Sequence, residues 1–166
     1  VDADRGSVTI EGGDIAITAD GDGIQAEKNL TIKGGSINIV TGGGSANAKA
    51  KSDNFFGKRP GMTAATTTED NTVSIKGLKA GVAITISGGA FNLDTCDDAI
   101  HANGTVTING GDFTIAAGDD GIHADESTTI GGGSIAITKS YEGLEGLTVT
   151  ISGGELNIVA SDDGMN

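Results

Sequence analysis

The sequence predicts an all-β chain wound as a right-handed, single-stranded parallel β-helix, a β-solenoid of about seven coils with about 22 residues in each. Three observations predict it. Short β-rich triplets running into Gly-Gly recur as VTIEGG, LTIKGG, ITISGG, VTINGG, TTIGGG and VTISGG. Their Gly pairs begin at Gly12, Gly34, Gly88, Gly110, Gly132 and Gly153, at spacings of 22, 54, 22, 22 and 21 residues. Aromatic residues make up only 3% of the chain, so the interior has to be narrow and filled by aliphatic ladders.

Each unit reads alike. A short strand such as Val8-Thr9-Ile10 meets a Gly-Gly corner, a second alternating strand follows at Ile15-Ala16-Ile17, and an acidic corner leads to a third strand at Ile24-Gln25-Ala26. Alternate aliphatic residues point inward, and each stacks on its counterpart one coil away. Ile10, Ile32, Ile86, Ile108, Ile130 and Ile151 should therefore form one interior ladder. Right-handedness follows the crossover preference of parallel strands. A helical chain is excluded because no 3.6-residue period runs through it. The nine-residue calcium-binding β-roll fails on its period.

Composition narrows the function classes. The chain has 166 residues, 29 of them Gly and one Pro, without the G-X-Y period of collagen. No apolar run approaches the roughly 20 residues of a membrane span, so membrane insertion is not expected. With 23 acidic against 10 basic residues the net charge is −13, which argues against nucleic acid and anionic membranes as partners. Cys96 is the single cysteine, and it reads as a small buried residue. The 54-residue spacing marks a loop insertion over residues 41–72 within one coil, carrying Phe55, Phe56 and Pro60. The chain reads as one β-helix domain over 1–166, a piece of a longer solenoid, open to end-to-end or lateral self-association.

Alignment on the Gly pairs brings the acidic corners into register. The residue before the small corner position is Asp22, Lys76, Asp98, Asp120, Glu142 and Asp163 in successive units. One place earlier stand Asp97, Asp119 and Asp162, with Asp20 ahead of Asp22; three places later stand Gln25, Lys79, His101, His123, Glu145 and Asn166. Rungs lie about 4.8 Å apart, so the carboxylates stack in a column whose repulsion something must offset. Calcium fits, since it takes six to eight oxygens at about 2.3–2.6 Å and bridges neighbouring coils. The expected ligands are Asp20, Asp22, Asp97, Asp98, Asp119, Asp120, Glu142, Glu145, Asp162 and Asp163. Asp-Gly is also good turn chemistry, and that plainer reading stays open. Zinc is disfavoured here, because two histidines without thiol neighbours make a thin ligand set.

These segments carry a resemblance. VTIEGGDIAITADGDGIQAE, TGGGSANA, DDAIHANGTVTINGG, DDGIHAD, TKSYEGLEGLTVTISGG and SDDGMN resemble the secreted bacterial carbohydrate-binding β-helix domains of cellulolytic clostridia, which are similar in fold to polysaccharide lyase family 9. The resemblance implies calcium on the acidic corners, binding of polygalacturonate (pectin) and cellulose, and an extracellular or cell-surface location. No catalytic residue is assigned.

Three functions follow as expectations. The first is non-catalytic, calcium-dependent binding of acidic plant polysaccharide, with His101, His123, Lys79 and Tyr141 as sugar contacts. The second is a calcium-dependent pectate lyase-like enzyme, with Lys76 or Lys79 as the base that abstracts a C5 proton. Neighbouring carboxylates raise a lysine pKa and oppose that role. The third is a structural or adhesive surface solenoid, for which the outward Thr9, Thr31, Thr85, Thr107, Thr129 and Thr150 form one flat rank.

Overall fold

The computed structural model describes residues 1–49 and 74–166. Its strands build three parallel stacks. The first contains β1 (Asp2–Ala3), β4 (Ile24–Ala26), β7 (Leu78–Ala80) and β10 (Ile100–Ala102), and continues into the start of β13 (Ile122–Ile130) and β15 (Leu144–Ile151). The second contains β2 (Val8–Ile10), β5 (Asn29–Ile32), β8 (Ala83–Ile86) and β11 (Thr105–Ile108), and ends on the second halves of β13 and β15. The third is β3 (Asp14–Ala19), β6 (Ser36–Thr41), β9 (Ala90–Thr95), β12 (Asp112–Ala117), β14 (Ser134–Lys139) and β16 (Glu155–Ile158). Among the described residues the one helical element is a 3-10 turn over Ser45–Asn47. The chain is thus an all-β solenoid of about six coils, with Met165 bridging to Leu144 at the start of a seventh.

The interior is the ladder that the Gly-pair register predicts. Parallel pairing stacks Ile10 on Ile32, Ile86, Ile108, Ile130 and Ile151 in turn. The four middle residues are fully buried. Ile10 is partly buried and Ile151 is 45% exposed, because each lies in an end coil with a neighbour on one side only. Under the acidic corner, Ile24, Leu78, Ile100, Ile122 and Leu144 make a second buried ladder. Phe91 and Phe113 stack face to face inside the third sheet, with ring centroids 4.3 Å apart.

The Gly-Gly corners have a steric cause. The second glycine of each pair turns the chain at positive φ, as Gly111 does at +113°, where an L side chain is strained. A Cβ there would also meet the carbonyl oxygen of Gly89 at 3.0 Å on the neighbouring coil. Two register shifts account for the irregular last units. The three-residue step from Ala124 to Ser127 faces a two-residue step from Gly146 to Thr148, which is the 21-residue spacing. An extra residue at Thr138 puts Ala116 opposite Lys139.

The insertion leaves and rejoins the solenoid at the acidic corner. Thr41 stays in register with Thr95, and its Oγ1 donates to the Ile75 carbonyl at 2.9 Å. Ser45 N donates to Asp94 Oδ1 at 2.7 Å, and Lys139 Nζ donates to the Ser45 carbonyl. Most of the insertion, including Phe55, Phe56 and Pro60, lies outside the described residues.

Candidate functional site

Strands β4, β7, β10, β13 and β15 carry Gln25, Lys79, His101, His123 and Glu145 as one outward row, each paired in register with the next. The row looks outward because Ile24 and Ala26 and their equivalents take the inward positions of a two-residue period. The corner residues just before each strand stand beside this row. The repeat thus converts a 22-residue period into a column of ionisable side chains along the solenoid.

Depth along the column is uneven, and it separates the acids into two kinds. Asp98 and Asp120 are 2% and 4% exposed. Each turns one oxygen to the backbone of the following coil: Asp120 N donates to Asp98 Oδ1 at 3.1 Å, and Glu142 N donates to Asp120 Oδ1 at 3.2 Å. Asp22 repeats the device, its Oδ1 accepting from Lys76 N at 2.7 Å and from Ser74 Oγ at 2.8 Å. The innermost acids therefore pin coil to coil. Asp97 and Asp119 are partly exposed and stand farther out. Asp20, Asp162 and Asp163 are exposed, and Glu142 is partly buried, with an oxygen 3.4 Å from Asn166 Nδ2.

Two lysines lie inside the column. Lys76 Nζ is 2.6 Å from Asp98 Oδ2 and 3.0 Å from Asp97 Oδ2. Burial opposes its charge, but the Asp98 and Asp97 carboxylates outweigh burial and raise its pKa. A lysine held protonated between two carboxylates is poorly placed to accept a proton, which weighs against the lyase base. Lys79 Nζ reaches Asp22 Oδ2 at 3.2 Å and Ser74 Oγ at 3.0 Å.

The histidines meet the buried acids. His101 Nδ1 lies 2.9 Å from Asp98 Oδ2, and His123 Nδ1 lies 3.1 Å from Glu145 Oε2 and 3.5 Å from Asp120 Oδ2. Burial alone would raise the Asp98 pKa, but hydrogen bonding with His101 and the Lys76 ammonium hold it well below the usual carboxylate range. Hydrogen bonding with Asp120 and the surrounding carboxylates raise His123 against the effect of burial. Burial, and then the hydrogen bond with Asp120, push Glu145 up to about 7.

The pH dependence of stability follows from these signs. Asp98 stabilises the fold above the ordinary Asp value of about 3.9, and that contribution is lost as pH falls through its depressed folded value. Glu145 works the other way, stabilising below about 4.3 and losing its contribution as pH rises through about 7. His123 loses its contribution above about 6.5. Thermal melts should show stability declining from pH 5 to 8. Glu145→Gln should flatten that decline more than Glu155→Gln, at an exposed acid of β16. Equal slopes for the two variants would contradict the assignment.

Beside the corner, a groove of about 650 Å³ runs between the insertion's two ends and the acids, lined by Asn47, Lys49, Ser74, Ile75, Lys76, Cys96, Asp97 and Asp119. Asp97, Asp98 and Asp119 each offer a carboxylate oxygen, all within 4.8 Å of one another. Tyr141 follows the same corner one coil on, its backbone N–H donating to the Asp119 carbonyl at 2.7 Å. Sequence reasoning missed Ser74, Asp94 and Lys139, which have no counterparts in the repeat.

Residues 1–121 match a family described as "Carbohydrate-binding domain-containing protein". No curated protein and no solved structure matches the chain.

Proposed function

We propose that this chain, which belongs to the carbohydrate-binding domain-containing protein family, binds an acidic polysaccharide of the polygalacturonate type through calcium and does not cleave it. Family membership supports sugar binding in general. One observation carries the finer reading: Asp97 and Asp119 line one groove, the buried Asp98 lies behind them with an oxygen within 4.8 Å of theirs, and Lys76 is the cation among them. Three carboxylates less one ammonium leave a formal charge of −2, which one divalent cation balances. The donors are all oxygens, the set calcium prefers.

Polarity supplies the second argument. A chain of net charge −13 repels a polyuronate unless a cation stands between them. Calcium bound by Asp97 and Asp119 would supply open coordination positions for sugar carboxylates. Lys79, His101, His123 and Tyr141 flank the same face as hydrogen-bonding partners for sugar hydroxyls. Such a ligand places the protein outside the cell or on a bacterial surface. Cellulose, a neutral chain, would have to use the uncharged rows of the same solenoid.

Asp97 and Asp119 are the residues that test this reading, because neither is deeply buried. Replacing both by Asn should weaken polygalacturonate binding at least tenfold in calcium while the β-sheet circular dichroism stays unchanged. It should also reduce the fall in melting temperature that chelator causes in the parent chain, since calcium stabilises only the folded state. Undiminished affinity in the double variant would overturn the assignment.

A further inference from the structure

A second metal chemistry is written into the same column, farther along the solenoid. We propose that Asp120, His123 and Glu145 form a binding site for a divalent transition-metal ion such as zinc, supported by Asp98 and His101; it shares His123, His101 and Asp98 with the polysaccharide reading, but its test needs no polysaccharide.

The donors come from consecutive coils. His123 Nδ1, a carboxylate oxygen of Asp120 and one of Glu145 all lie within 4.8 Å of one another, and so do those of Asp98, His101 and His123. Ligands at zinc distances of about 2.0–2.2 Å in a tetrahedron stand roughly 3.4 Å apart. The existing separations of 3.1 Å from His123 Nδ1 to Glu145 Oε2 and 3.5 Å to Asp120 Oδ2 are already close to that figure. Little movement is needed to close the site.

Orientation is fixed from behind. Asp120 Oδ1 is taken by the Glu142 N–H, and its Oδ2 is the oxygen nearer the imidazole. Asp98 is held in the same way by the Asp120 N–H, with Oδ2 2.9 Å from His101 Nδ1. The two imidazoles meet edge to face with centroids 4.7 Å apart, so His101 and Asp98 pack the ligand ring. Such outer contacts hold a ligand in its binding rotamer. A cleft of about 220 Å³, lined in part by His123, Asp125, Glu145 and Asn166, opens on the site and leaves space for a fourth ligand.

Donor chemistry separates this site from the calcium groove. An imidazole nitrogen suits zinc, copper, nickel or cobalt, whereas calcium takes oxygen ligands. Lys76 sits on Asp98 Oδ2, the same oxygen that His101 Nδ1 meets, so Asp98 supports the site rather than ligating the ion. Counting histidines along the sequence disfavours zinc. Stacking at the solenoid period reverses that, because residues 22 apart become neighbours.

The test is calorimetric titration of the intact chain with zinc chloride in excess calcium, with cobalt(II) as a spectroscopic probe. One tight equivalent that calcium does not displace is expected, together with a visible cobalt band. His123→Gln should weaken zinc at least tenfold and alter that band, and Asp97→Asn should change neither. In the parent chain, ring-nitrogen NMR should show the His123 resonances moving on zinc addition. An absence of binding, displacement by calcium, unmoved His123 resonances, or wild-type affinity in His123→Gln would overturn the proposal.

Discussion

Asp98→Ala should lower stability by roughly 3–5 kcal/mol, the scale for removing one partner of a buried ion pair. The residue is 2% exposed and touches Lys76 Nζ, His101 Nδ1 and the Asp120 N–H. Its loss leaves a largely buried ammonium short of a counter-charge and a backbone donor without its acceptor. Lys76→Met in the same background should recover part of the deficit, because the ammonium is removed as well. Chemical denaturation of the parent and the two variants checks this. A single variant within 1 kcal/mol of the parent would show that the column stabilises nothing, and that Asp98 is only turn chemistry.

Ile108→Ala should cost about 2–5 kcal/mol for a different reason. Ile108 is fully buried between Ile86 and Ile130, so neither neighbouring coil collapses easily into the vacated space. Ile10→Ala makes the same chemical change on a partly exposed end rung and should cost less than half as much. Denaturant midpoints compare the two directly. Equal losses would mean that the ladder is not the cooperative core.

Much of the solenoid is legible in the sequence because its period is carried by sterics. Gly111 and its equivalents turn corners at positive φ, and Ile108 and its equivalents fill one rung, so spacing alone yields the register. Depth is less legible. Alignment puts Asp98 and Asp97 in the same acidic corner, yet one is a buried tie between coils and the other faces a groove. The repeats offer Asp98 and Asp120 as calcium ligands on equal terms with Asp97 and Asp119. The burial of Asp98 and Asp120 makes them structural first, and Asp97 with Asp119 the better probes. Lys76 is readable as a salt-bridge partner from its place in an acid column, and its contacts with Asp97 and Asp98 agree. The His101–His123 contact depends on stacking at a distance of 22 residues, and a count of ligand residues along the chain does not see it. The contact of Ser74, just past the insertion, with Asp22, and those of Asp94 and Lys139 with Ser45 have no repeat signature at all.

The central claim, that a cation joins an acidic protein to an acidic polysaccharide, is tested most directly by titrating the unmodified chain with polygalacturonate in calcium and again in chelator. Binding should appear in calcium and vanish with chelator. Moderate sodium chloride should weaken it far less than chelation does, since coordination is screened less than long-range attraction. No unsaturated uronate should accumulate. Binding that survives chelation, or a rise in unsaturated product that Lys76→Ala stops, would contradict the account.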